Sequence, residues 1–190
     1  LVSYRQLLDA YRAGAEIEEI PLLALRAGHS MHVTACGIFG YALMSSASPQ
    51  DAIDFATKYQ SILGPGVESG YRREGDQIVW TLEPFMTKDP TDPVYRFAIE
   101  YHLAISSNLL RDAIDPACTF REIQVSYARP ANADHYESFI GCPTRFEQRI
   151  DQMNMSGHWL DHRLPLSNPI TNALVKDICD QELLRVFSSA

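Results

Sequence analysis

The segment DPTDPVYRFAIEYHLAISSNLLRDAI, residues 89–114, constrains the fold more than any other stretch of the chain. After two prolines, helical spacing puts Val94, Phe97, Tyr101, Ile105 and Leu109 on one stripe and Ile99, Leu103 and Leu110 on another. A helix that is apolar on two sides has to be sandwiched in an interior. At 190 residues and 46% hydrophobic, the chain has the material for one such core. A single domain over residues 1–190 is expected.

Other helices are punctuated by local signals. In SASPQDAIDFATKYQSILGPG, residues 46–66, Ser48 can cap the first turn, Pro49 needs no amide partner there, and Asp51 completes a capping box. Ala52, Phe55, Ala56, Tyr59, Ile62 and Leu63 follow at helical spacing until Gly64-Pro65. A helix with Tyr4, Leu7, Leu8 and Tyr11 on one side is closed by Gly14, and a second short one ends at Gly28. A third, ACGIFGYALMSS, holds Gly37 and Gly40, read as sites of close helix packing. The tail NPITNALVKDICDQELLRVF opens on Asn168-Pro169, with Ile170, Leu174, Ile178 and Leu184 among its apolar positions.

Strand periodicity occupies the remainder. Ile78, Trp80 and Leu82 alternate with polar neighbours after the turn Glu74-Gly75-Asp76, which reads as a β-hairpin. Ile123, Val125 and Tyr127 alternate in FREIQVSYARP, where Pro130 ends the strand or leaves it at an edge. ANADHYESFIG reads as a short helix capped by Asn132, and CPTRFEQRIDQMNMSG as two further short strands. The fold class expected is α+β, a small, mainly antiparallel sheet with helices packed on it.

Charge and motifs narrow the function. A formal net charge of -8 without a lysine or arginine run argues against direct contact with nucleic acid. The longest apolar stretches fall short of the roughly 20 residues that span a bilayer, and Cys36, Cys118, Cys142 and Cys179 lack a C-x-x-C pair, so reduced cysteines and a cytoplasmic location are expected. G-x-S-x-G, P-loop and G-x-G-x-x-G motifs are absent. His29, His32 and Cys36 are close in sequence but have no second pair at ligand spacing, and His158 and His162 lack the glutamate of H-E-x-x-H. Cys142 precedes Pro143, which suits a turn better than a thiolate nucleophile. We therefore expect no metal, no cofactor and no catalytic residue; an acid–base enzyme using His102 with Glu100 or Arg96 is the competing reading.

A binding pocket fits the residue set better. Tyr41, Tyr59, Trp80, Tyr101 and Tyr127 offer aromatic surface with polar handles, and Arg96, Glu100 and His102 add ionisable groups on the interior helix.

Three stretches in order, GIFGYALMSSASPQDAIDFATKYQSILGPG, VSYARPANADHYESFIGCPTRFEQ and NPITNALVKDICDQELL, resemble the N-terminal effector domain of a branch of AraC/XylS-type bacterial transcription regulators, over roughly residues 20–185. The resemblance implies a sensory domain that binds a small-molecule effector and forms a homodimer. It implies contact with DNA only through a C-terminal helix-turn-helix domain that these residues do not contain. On this reading, a ligand held between the sheet and the helix around residues 94–111 changes how the C-terminal helix is presented. The alternative is a dimerisation module that answers to no metabolite.

Overall fold

The computed structural model describes residues 4–17, 20–63 and 66–188, apart from the side chains of Tyr4 and 186–188. The two-sided helix is α5, Pro93–Ala113, capped by the Asp92 carboxylate, which accepts from the Val94 amide at 2.8 Å. Ala98, Ile99, Leu103 and Ala104 in its middle are fully buried. Its cover comes from α1 (Tyr4–Ala15), α2 (Leu23–His29) and the sheet. Helix α1 runs one residue beyond Gly14, and Tyr11 sets its ring against Phe97 and Tyr101 of α5, with centroids 5.4 and 5.9 Å apart.

Residues 33–45 do not form one continuous helix. A 3₁₀ turn, Val33–Cys36, precedes α3, Gly37–Ser45, and the junction is Gly37 at φ 54° with open space where a Cβ would sit. Of these two glycines, it is Gly40 that serves packing, because a Cβ there would overlap the Val33 carbonyl. Helix α4, Pro49–Tyr59, begins as its punctuation predicts: the Asp51 amide donates to Ser48 Oγ at 3.1 Å. The Asp51 carboxylate answers by accepting from that same hydroxyl at 2.7 Å. A 3₁₀ turn, Gln60–Leu63, extends it; the expected stop at Gly64-Pro65 lies outside the described residues.

Five strands, β1 Val67–Glu74, β2 Gln77–Pro84, β3 Phe120–Gln124, β4 Thr144–Arg145 and β5 Asp151–Ser156, form one sheet in the order β1-β2-β5-β3-β4. All neighbours are antiparallel except β3 and β4. The β1–β2 hairpin turns on Gly75, whose φ of 59° is the left-handed conformation that the first position of a type II′ loop requires. Trp80 stands opposite Met153, and Ile78 opposite Met155, on the buried face. Strand β3 stops before Val125 and Tyr127, which keep backbone bonds to residues 145–148, while the Ser126 amide between them donates to Asp151 Oδ1 at 2.7 Å.

Asn132 makes no side-chain cap; its carbonyl accepts from the His135 amide in a 3₁₀ turn, Ala133–His135, that leads into α6, Tyr136–Ile140. The last helix, α7 (Pro169–Ser188), is opened by Asn168 Oδ1, which accepts from the amides of Ile170 and Thr171 at 3.1 and 3.0 Å. It rests on α3 through Asn172, Val175 and Cys179. Other apolar positions point the other way: Ile170, Leu174 and Leu184 are 84%, 63% and 71% exposed.

Candidate functional site

Where α5 crosses the buried face of the sheet, the side chains leave a partly enclosed cavity of about 190 Å³. Helix α5 contributes Tyr101, His102, Ile105, Ser106 and Leu109, which fall on one face because they are spaced by one, three and four residues. Helix α4 presents Ala52, Ile53, Ala56 and Thr57, small or apolar groups whose modest volume leaves the hollow open. Trp80, Phe120 and Met153 form the sheet side, with the Trp80 and Phe120 rings edge to face at 5.9 Å. Phe39 and Leu43 of α3 and Tyr11 of α1 complete the walls.

His102 is enclosed by protein yet keeps part of its surface accessible, as a side chain facing a hollow does. Burial lowers its pKa from 6.5 to about 4, so the ring is neutral near pH 7. Burial also raises the hydroxyls of Tyr11 and Tyr101 above their ordinary range. Among the described residues, no Asp, Glu, Lys or Arg lines the cavity.

Of the residues singled out from sequence, Trp80, Tyr101 and His102 meet in this cavity and the others lie elsewhere. Tyr41 stands on the surface of α3, 58% exposed. Tyr59 sits between helices: its hydroxyl donates to Asp180 of α7 at 2.6 Å, and Lys58 reaches the same carboxylate at 3.0 Å. Arg96, Glu100 and Tyr127 gather in a second cluster. There the Tyr136 hydroxyl donates to the buried Glu100 carboxylate, Arg96 lies 3.4 Å from it, and the Tyr127 hydroxyl is buried beside that of Tyr136. Burial raises the pKa of Glu100, opposed by the Tyr136 hydrogen bond and the Arg96 charge. The rings of Tyr127 and Tyr136 both close on Phe146, so this cluster is packed.

Tyr11 and Ser106 belong to the cavity although sequence reasoning did not single them out for a site. Ser106 could have been found: with His102 it puts two polar groups one turn apart beside the apolar stripe of Tyr101, Ile105 and Leu109. Tyr11 could not, since only the crossing of α1 over α5 brings it there.

The residues tested for metal or nucleophilic chemistry are engaged otherwise. His32 Nδ1 meets Asp112 at 3.0 Å, and the His29 ring lies edge-on to Phe139. The buried Cys142 thiol is pushed up to about 12, chiefly by desolvation and then by Glu137.

Residues 1–164 match the family described as "Arabinose-binding domain of AraC transcription regulator, N-term". The chain belongs to this family. AraC-type N-terminal domains are parts of transcription regulators and not an enzyme family. One relative is the ornithine utilization regulator of Pseudomonas aeruginosa, 28% identical over 160 residues that make up 84% of this chain and 46% of the relative. The chain thus spans about half the length of the curated relative it matches. The crystal structure of the transcriptional regulator CdpR from Pseudomonas aeruginosa has the same fold, with a TM-score of 0.68 at 14% identity over 90% of this chain and 61% of that one. No helix among the described residues of this AraC-family chain is long and apolar enough to cross a membrane.

Proposed function

We propose that the chain is the effector-sensing domain of a bacterial AraC-type regulator. A small molecule in the cavity alters how α7 is offered to a DNA-binding region outside these residues. The observation that carries this reading is that two cavity walls are also the seats of α7. Helix α3 lines the cavity with Phe39 and Leu43, and its Ala42 carbonyl accepts from Asn172 Nδ2 of α7 at 3.1 Å. Helix α4 lines it with Ala52, Ile53 and Ala56, and its Tyr59 and Lys58 hold Asp180 of α7.

A ligand exerts control only through different affinities for two arrangements, so its occupancy must favour one placement of α3 and α4 over another. The acidic surface leaves DNA contact to another region. The name of the ornithine utilization regulator raises ornithine as a signal, but the walls here offer no carboxylate for its amines.

An unbiased fragment screen by ligand-observed NMR, followed by hydrogen exchange with each hit, tests the reading. Hits are expected to change exchange along residues 169–188, and Ala56→Phe, which fills the hollow, should abolish both effects. An empty screen, or hits that leave α7 unchanged, would overturn it.

The second reading, a ligand-independent dimerisation module, is favoured by the outward apolar row on α7. Burying that row in a partner would satisfy it without any metabolite.

A further inference from the structure

The polar groups around the cavity divide into two sets, and the division selects the kind of molecule the walls can hold. Thr57, Gln60 and Ser69 are committed to the protein. Thr57 Oγ1 donates to the Ile53 carbonyl at 3.0 Å, Gln60 Oε1 accepts from the Ser69 amide at 2.8 Å, and Gln60 Nε2 donates to the Ser69 carbonyl at 3.1 Å. Tyr11, Tyr101, His102 and Ser106 have no hydrogen-bond partner among the described residues. None of their polar atoms is sealed off as a buried orphan. Ser106 lies one turn beyond His102, so α5 presents a donor and acceptor pair on one wall, while Trp80, Phe120, Met153, Ile53 and Ala56 make the others apolar.

Among the described residues no carboxylate, lysine or arginine lines the space, and the imidazole is uncharged. An ionised guest would surrender its hydration without a counter-charge. A sugar carries hydroxyls on all sides, and those turned to Trp80, Phe120, Met153, Ile53 and Ala56 would be left unpaired against hydrocarbon. Size points the same way. An apolar cavity of about 150 Å³ holds benzene, and this one, at about 190 Å³, has room for a ring with a small substituent.

We infer that the molecule recognised is an uncharged single-ring compound, hydrocarbon over most of its surface, whose one hydroxyl meets His102 and Ser106, as in a phenol or a benzylic alcohol. This rests on the sensor reading of the same cavity.

The test is a titration of the 190-residue chain with p-cresol, benzyl alcohol, toluene, 4-methylbenzoate, lysine and arabinose, followed by NMR shifts. The two hydroxylated rings are expected to bind at least tenfold more tightly than toluene, with no response to the other three at the same concentrations. His102→Phe should bring p-cresol down to the affinity of toluene. If that variant fails to fold, Ser106→Ala should weaken p-cresol severalfold and leave toluene unchanged. Binding of lysine, arabinose or 4-methylbenzoate that Ala56→Phe abolishes would overturn the ligand class and leave the sensor reading standing. Equal affinities for p-cresol and toluene would overturn the role of the hydroxyl. Silence from all six probes would also overturn the class, and the sensor reading falls with it only if the unbiased screen is silent too.

Discussion

His102 shows how one buried side chain ties stability to pH. Folding places its imidazole where protonation is suppressed to about pH 4, whereas the unfolded ring titrates near 6.5. Between those values the unfolded chain binds a proton that the folded chain refuses, so stability falls as pH drops through the window. Glu100 and Asp151, whose pKa values burial raises, act in the opposite direction, so the comparison has to be made against a variant that keeps both. In urea unfolding, wild type should lose up to about 2 kcal/mol more than His102→Gln on going from pH 7 to pH 5. Equal losses in the two proteins would show that the ring takes up its proton while folded.

At the scale of elements, Asn172 bonds α7 to α3. Its buried amide donates to the Ala42 carbonyl at 3.1 Å and lies 3.3 and 3.4 Å from the hydroxyls of Ser45 and Ser46. Asn172→Ala removes this bond while Ser46 Oγ still donates to the same carbonyl at 2.8 Å, so it should cost about 1 kcal/mol, read as a lower unfolding midpoint. Ser48→Ala should cost about 1 kcal/mol by removing the α4 cap, with a circular-dichroism melt as the check. The Ser48 cap, the Gly75 turn and the two stripes of α5 were legible because each is a local signal within a few residues of its effect. The direction of α7 was not. Periodicity defines a face, but α7 carries apolar residues on two faces, and only the position of α3 decides that Val175 and Cys179 turn inward while Leu174 turns outward. The site was half legible for the same reason: Arg96, Glu100 and Tyr127 have the composition of a pocket, but the arrival of Tyr136 and Phe146 from a distant segment fills theirs.

For the whole molecule, the dimerisation reading makes the apolar row on α7 the surface that joins two copies of the chain. Leu174→Glu combined with Ile178→Glu alters side chains that are 63% and 37% exposed, so thermal stability should barely move. In sedimentation, wild type should associate with rising concentration and the double variant should remain monomeric. A wild type that stays monomeric throughout would remove the dimerisation reading.

Asn172 and Asp180, the two tethers of α7, both lie within its first twelve residues, and the helix continues to Ser188. Twenty residues of helix make a rod about 30 Å long, so a pivot of about 5° at the root swings the tip through roughly 2–3 Å. On the sensor reading, a helix held as far as Leu183 and continuing beyond it would work as an oar does, turning a slight displacement at the hull into a longer sweep at the blade.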